Sequence, residues 1–176
     1  NLAAVDQATD TPTNNFCTMN PLDNYYSAAT FSEGNCYLVT GGSGYAHKTS
    51  TIAVSAGKWY MEAKAISTAS GTVILTVGIA DSVATDTNAQ LGYASNAYGY
   101  NSNNGNILTG NSSSSYGNTF TANDIIGIAL NLDDNELKFY KNGTVQNSGT
   151  AVSITAVAST ATVSYTHLTL PTIYSV

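Results

Sequence analysis

The stretch DIIGIALNLDDNELKFYKNG, residues 124–143, contains two apolar segments that are separated and followed by short polar ones. The segments 124–132 and 136–140 are rich in Ile, Leu, Phe and Tyr, which favour strands. An Asp-Asp-Asn run separates them, and a Lys-Asn-Gly run ends the second, where Asn-Gly readily supplies the positive φ of a tight turn. The stretch therefore predicts two antiparallel strands, each followed by a turn.

The residues upstream predict two further strands. In KWYMEAKA, residues 58–65, small and apolar side chains alternate with charged ones and Tyr60, which indicates a half-buried strand. Trp59 lies on the apolar face of this pattern with Met61, so we expect it to pack in the core and not to serve as a sugar platform. GTVILTVGIAD, residues 71–81, is almost continuously apolar and predicts a strand buried on both faces.

Composition narrows the class of protein. The chain has 176 residues, enough for one domain, and only 9% of them are charged, with a net charge of −6. Five basic residues do not make a phosphate-binding patch, so we expect no nucleic-acid partner. No apolar run reaches the length of a membrane-spanning helix, so we expect no membrane insertion. Abundant Thr, Tyr, Val, Asn, Gly and Ser, with few strong helix formers, indicate an all-β protein.

Residues 82–119 differ from the preceding segments in composition and are rich in Gly, Asn, Ser and Tyr. We expect short strands around Ala97–Tyr100 and Asn106–Leu108, and loop or hairpin elsewhere. The serine run within 112–118 predicts a flexible surface turn. With several short strands at close intervals, the pattern is typical of a sandwich.

The order of these motifs resembles the SPRY (SPRY/B30.2) domain family over roughly residues 31–163. The resemblance rests on GKWYMEAKA, VGIAD, LGYASNAYGYNSNNGNI and YGNTFTANDIIGIALNLDDNELKFYKNG, in this order. It implies two packed antiparallel sheets, a β-sandwich of the concanavalin A-like type, and binding without catalysis. In that fold, the Lys-Asn-Gly turn belongs to a late hairpin of the sandwich.

The same resemblance sets the expected domain boundaries. Residues 1–24, rich in Thr, Asn, Asp and Pro, are expected to form a lead-in or linker, and residues 25–163 the sandwich. Residues 164–176 lack the family's Asn-Phe-Gly ending and resemble translated sequencing-adapter read-through. The segment DTPTNNFCTMNPLDN, residues 10–24, resembles the lead-in of SPRY-like domains in phage tail proteins. It implies a domain cut from a larger phage structural protein, located on the virion or otherwise extracellular.

The loop NAYGYNSNNGN, residues 96–106, supplies the candidate ligand contacts. Tyrosine side chains offer flat contact area at low entropic cost, and asparagine amides donate and accept hydrogen bonds. We expect this loop to recognise a host-surface glycan or protein. The alternatives are a structural contact to another virion subunit, or a general SPRY protein-interaction adaptor. The candidate residues are Tyr98, Tyr100, Asn101, Asn103 and Asn104.

Other chemistries find less support in the sequence. A polysaccharide depolymerase would need paired carboxylates, and the strand at 58–65 carries only Glu62. The acidic run at 133–136 lacks the spacing of an EF-hand, so we expect neither a metal nor a cofactor. Cys17 and Cys36 leave two readings open: a disulfide in an oxidising compartment, or, as we favour, two unpaired residues near the N-terminus.

Overall fold

A computed structural model describes residues 17–23, 28–40, 45, 47–66, 75–81, 90–94, 96–154, 161–165 and 173–175. These residues form fourteen strands in two six-stranded sheets and one small two-stranded sheet. The strands are β1 Ala29–Ser32, β2 Tyr37–Thr40, β3 Lys48–Val54, β4 Lys58–Lys64, β5 Thr76–Ala80, β6 Ala97–Asn101, β7 Asn106–Thr109, β8 Ser112–Ser115, β9 Ile125–Asn131, β10 Glu136–Lys141, β11 Thr144–Val145, β12 Val152–Ser153, β13 Ala161–Tyr165 and β14 Ile173–Ser175.

The two large sheets form an antiparallel β-sandwich, which confirms the predicted fold class. The first sheet has the order β11-β10-β9-β4-β14, with β12 beside β10. The second has the order β3-β13-β5-β6-β7-β8. All their pairings are antiparallel, and β1 pairs with β2 separately.

The core lies between the sheets and follows the alternation of the strands. In β4, Met61 and Ala63 are buried, whereas Tyr60, Glu62 and Lys64, which alternate with them, are half-buried, as the sequence predicts. Trp59 packs against the same core from a half-buried position. All five residues of β5 are buried, which confirms the strand predicted from its apolar run, although 71–74 lie outside the described residues. The remaining core is built mainly by β6, β9 and β10.

The hairpin predicted from the opening stretch is present. β9 and β10 pair from Asn131↔Glu136 to Ile126↔Lys141. Asn142 and Gly143 then adopt φ values of 48° and 78°, the left-handed pair that a two-residue turn between β10 and β11 requires. The Lys-Asn-Gly run is therefore the tip of a hairpin at one end of the sandwich.

The serine run does not form a flexible turn, so that prediction was wrong for residues 112–115. Ser112–Ser115 form β8, paired with β7 along its whole length. The turn lies just before it, at Gly110 and Asn111, with φ values of 54° and 60°. Serine has little intrinsic preference for strands, but this tight turn brings the serines back alongside β7.

Residues 17–23 pack on the sandwich, although they fall within the segment predicted to be a lead-in. Met19 is fully buried in the core and bridges to Ser50 of β3. The backbone N–H of Asn20 donates to the carbonyl of Thr49 at 2.9 Å, and that of Thr51 donates to the carbonyl of Thr18 at 2.8 Å. This part of the chain therefore extends the edge of the second sheet.

Backbone pairing also continues past residue 163. β13 runs to Tyr165 between β3 and β5, and β14 pairs with β4, with Tyr174 opposite Tyr60. The rest of the C-terminal segment, residues 166–172 and 176, lies outside the described residues. The adapter-like origin assigned to residues 164–176 stays a prediction.

Candidate functional site

The structure separates the five candidate residues into two groups. Tyr98, Tyr100 and Asn101 belong to β6, where each exposes 4% of its surface or less. Asn103 and Asn104 lie in the turn between β6 and β7 and are exposed. Tyr98 and Tyr100 pack in the core between the sheets, and Asn101 is buried on the other face of β6, where its amide approaches Gln90. Buried side chains do not reach a ligand in this conformation, so three of the five residues support the fold. Only Asn103 and Asn104 remain candidates for direct contact.

Tyr100 is the centre of an aromatic cluster. Its ring centroid lies 5.2 Å from those of Phe120 and Phe139 and 5.6 Å from that of Tyr116. Its hydroxyl donates a hydrogen bond to the carbonyl of Asn118. Burial, and then the neighbouring Tyr116 and Asp124, raise the pKa of Tyr100 to about 12, so the hydroxyl stays a donor at neutral pH. The cluster thereby fixes the loop that follows β8.

Gln146 ties that loop to the β10–β11 hairpin. Its side chain is buried, and its Oε1 accepts a hydrogen bond from the backbone N–H of Asn118 at 2.9 Å. Its Nε2 donates to the carbonyl of Thr144 at 2.9 Å. Gly117 makes this approach feasible, because a Cβ there would lie 2.8 Å from Gln146 Oε1 and 2.9 Å from the hydroxyl of Tyr100.

Asp124 holds the other end of the loop. Its carboxylate accepts hydrogen bonds from the backbone N–H of Thr121 at 2.8 Å and from the side-chain amide of Asn142 at 2.7 Å. The ammonium of Lys141 lies 3.2 Å away and also donates to the carbonyl of Thr119. Partial burial opposes ionisation, but these hydrogen bonds outweigh it and lower the pKa of Asp124 below its ordinary range.

The turn between β6 and β7 joins the same structure through its glycine. Gly105, at φ 70°, donates its N–H to the carbonyl of Asn101 and accepts from the N–H of Gly117 at 2.8 Å. The N–H of Phe120 donates to the carbonyl of Ser102 at 3.1 Å. The turn and the loop are therefore held together by backbone hydrogen bonds.

These elements form one continuous surface at one end of the sandwich, which we call the loop rim. It comprises the turn 102–105, the loop 116–124 and the hairpin tip 142–144. Its exposed side chains are uncharged and able to form hydrogen bonds, and buried residues lie beneath them. Apart from Gly143, the exposed residues are Asn103, Asn104, Asn118, Thr119, Thr121, Asn123, Asn142 and Thr144.

Sequence reasoning found two of these exposed residues and missed most of the others. Asp124 and Asn142 lie in the opening stretch, but their contact spans 18 positions and no local pattern predicts it. Gln146 belongs to no sequence motif that would mark it as part of the site. The available signal was the recurrence of Asn and Thr next to glycine in three separate turns, which converge only when the sheets pair.

The described residues contain no group of three or more His, Cys, Asp or Glu side chains that could hold a metal ion. Among the same residues, no helix has the length and apolar character needed to cross a membrane.

An antiparallel sandwich with preformed loops at one end has the architecture of a β-sandwich recognition module. The model of the SPRY domain family matches residues 58–164, more than half of the chain. The chain therefore belongs to the SPRY domain family, whose members are generally protein-interaction modules.

Solved structures agree with this assignment at the level of the fold. The SPRY domain of human HERC1 matches with a TM-score of 0.68 at 16% identity, over 87% of this chain and 91% of that one. Stonustoxin matches with a TM-score of 0.67 at 14% identity, over 89% of this chain and 27% of that one. A comparison with curated protein sequences gave no significant match.

Proposed function

We propose that the loop rim is the contact surface of a non-catalytic binding module. The observation that carries this proposal is that the exposed amides and hydroxyls of the rim stand on a network of side-chain hydrogen bonds. The network runs from Tyr100 to Asn118 and Gln146, and from Asp124 to Asn142. A surface that is ordered before binding loses little conformational entropy when a ligand arrives.

The chemistry of the rim favours a polar, uncharged epitope. Asparagine and threonine side chains match the hydroxyls and amides of a glycan, or the backbone and polar side chains of a protein loop. The carboxylate within the rim, that of Asp124, already has three partners: the backbone N–H of Thr121, the side-chain amide of Asn142 and the ammonium of Lys141. The rim therefore suits recognition by hydrogen bonds, with little contribution from net charge.

For the biological setting, we propose a phage structural protein that displays this domain on the virion, outside the cell. The support is the lead-in at residues 10–24, which resembles those of phage tail proteins, together with the weakly charged surface. The partner would then be a host-surface glycan or protein. A contact to a neighbouring virion subunit is the second candidate. Segment 17–23 packs on the sandwich, so it would hold the domain in a fixed orientation relative to the chain that precedes it.

Matched variants at opposite ends of the sandwich test the rim. Asn103 is exposed in the rim, and Ser55 is exposed in the turn between β3 and β4 at the other end. The labelled protein, Asn103→Trp and Ser55→Trp would be applied to a glycan array, to bacterial envelope extracts and to virion proteins. We expect Asn103→Trp to weaken capture at least tenfold, while Ser55→Trp binds like the unmodified protein. Equal capture by all three would remove the rim as the contact surface.

The same experiment separates the candidate partners. Capture by an array glycan or an envelope protein supports host recognition. Capture only by a virion protein, again lost in Asn103→Trp, supports the structural role. Release of reducing ends from a polysaccharide during incubation would contradict binding without catalysis.

A further inference from the structure

Two cysteine-bearing segments meet beside the second sheet. Residues 17–20 run along β3, and the backbone N–H of Met19 also donates to the carbonyl of Asn35 at 2.9 Å. Asn35 belongs to the turn between β1 and β2, which Cys36 closes by donating its N–H to the carbonyl of Glu33. Cys17 therefore lies two positions before Met19, and Cys36 lies one position after Asn35, the two residues that this backbone contact joins.

Both cysteines are free thiols in this structure. Cys17 is buried, with 3% of its surface exposed, and Cys36 is half-buried. Each thiol makes a weak hydrogen bond, to the carbonyl of Thr18 and to that of Gly34 respectively. Burial, then the neighbouring Cys17 and then Glu33, raise the pKa of Cys36.

We propose that Cys17 and Cys36 form an intramolecular disulfide that fastens the N-terminal segment to the β1–β2 turn in an oxidising environment. A disulfide requires Cα atoms about 4.4–6.8 Å apart, and the 2.9 Å contact between Met19 and Asn35 brings the two cysteine-bearing segments together. This bond is independent of the loop rim, whose residues lie elsewhere on the sandwich. The effect of the disulfide would be mechanical, because it would fix the segment that begins at Cys17 to the domain upstream of Ala29.

The reaction is a thiol–disulfide exchange with a small disulfide oxidant such as glutathione disulfide. The thiolate of the half-buried Cys36 attacks one glutathione sulfur, and one glutathione thiolate leaves. The thiolate of Cys17 then attacks the Cys36 sulfur of the mixed disulfide, and the second glutathione thiolate leaves. The two cysteines lose two electrons and two protons, and the glutathione disulfide is reduced to two glutathione thiols.

The raised pKa of Cys36 has a kinetic consequence. Because the thiolate is the attacking species, its fraction at neutral pH is small and oxidation accelerates as the pH rises. Cys17 and Glu33 are the titratable groups that act on Cys36. Glu33→Gln removes one of these influences, so we expect this variant to be oxidised faster than the unmodified protein at neutral pH.

The test uses the full reduced chain under native conditions, incubated with glutathione disulfide and then alkylated. The first Lys in the sequence is Lys48, so trypsin leaves both cysteines on one peptide, whereas chymotrypsin cuts at the aromatic residues between them. We expect a disulfide-linked chymotryptic pair in monomeric protein. We also expect the thermal midpoint to rise by about 5–10 °C, from the closure of a loop of this length.

Cys36→Ser is the matched control, because it leaves the buried Cys17 in place. Its midpoint should not change on treatment with the oxidant. The proposal would be overturned by thiols that both remain alkylatable, by a glutathione adduct that never resolves, or by a disulfide-linked dimer. An oxidised monomer with an unchanged or lowered midpoint would also overturn it. None of these results bears on binding by the loop rim, which the Asn103→Trp experiment tests separately.

Discussion

The side-chain amide of Asn142 donates a hydrogen bond to the carboxylate of Asp124 at 2.7 Å, across 18 positions of the sequence. The same amide accepts, through its oxygen, a hydrogen bond from the backbone N–H of Ile125 at 2.8 Å. One asparagine at the tip of a hairpin thus fixes the end of the loop 116–124. Asn142 therefore orders the loop rim in addition to forming the turn.

The first prediction concerns pH. The pKa of Asp124 is lower in the folded protein than in the unfolded chain, so its ionised form stabilises the fold above its unfolded pKa of about 3.9. That contribution is lost as the pH falls through the lower, folded pKa. Asp124→Asn should therefore reduce the free energy of unfolding by about 1 kcal/mol at pH 7, and the difference should shrink below about pH 4. Urea denaturation of both proteins at several pH values measures this difference in the free energy of unfolding. A difference that does not change with pH would contradict the stabilising role of the ionised Asp124.

The second prediction compares two glycines that both have positive φ. A Cβ at Gly105 would lie 2.1 Å from the carbonyl oxygen of Gly117, whereas a Cβ at Gly143 meets nothing within 4 Å. Gly143→Ala should cost about 1–2 kcal/mol of folding free energy, the strain of a left-handed alanine. Gly105→Ala should cost about 3 kcal/mol or more, because backbone overlap adds to that strain. Equal losses in chemical denaturation would show that the turn and the loop do not touch.

The third prediction concerns Tyr100, which lies in the core and not on the binding surface. Tyr100→Ala should destabilise the fold by about 3–5 kcal/mol, since it removes a large buried ring. Tyr100→Phe keeps the ring and removes only the hydrogen bond to Asn118, so it should cost about 1 kcal/mol. Thermal denaturation followed by circular dichroism compares the two. A well-folded Tyr100→Ala protein that has lost only binding would restore Tyr100 as a contact residue.

The fourth prediction concerns the C-terminal segment. β14 contributes three residues at the edge of the first sheet, and Tyr165 is the last residue of β13. Deletion of residues 165–176 should leave the thermal midpoint within a few degrees of that of the full chain. Collapse of the folded state after this truncation would show that the segment completes the sheets.

Some of this architecture follows from local sequence. The alternation in β4 and the hairpin of β9 and β10 depend on side chains that lie within a few residues of one another. For Tyr100, local sequence predicted a short strand at 97–100 but gave no sign that the tyrosine side chain would be buried. Its burial becomes evident only when β6 pairs with β5 and β7 and Phe139 packs against the ring from the opposite sheet. The loop rim was inaccessible to local reasoning for the same reason, since its three parts are joined by contacts distant in sequence.

Mapping of a bound ligand by NMR tests the central claim most directly. The chain is small enough for amide spectra, and the side-chain amides of Asn103, Asn104 and Asn118 report on the rim itself. Addition of a glycan or protein identified by capture should shift the resonances of 102–105, 116–124 and 142–144. The turn at 55–57 should be unaffected. Shifts confined to that opposite end, or to the outer face of either sheet, would contradict the assignment of the loop rim as the contact surface.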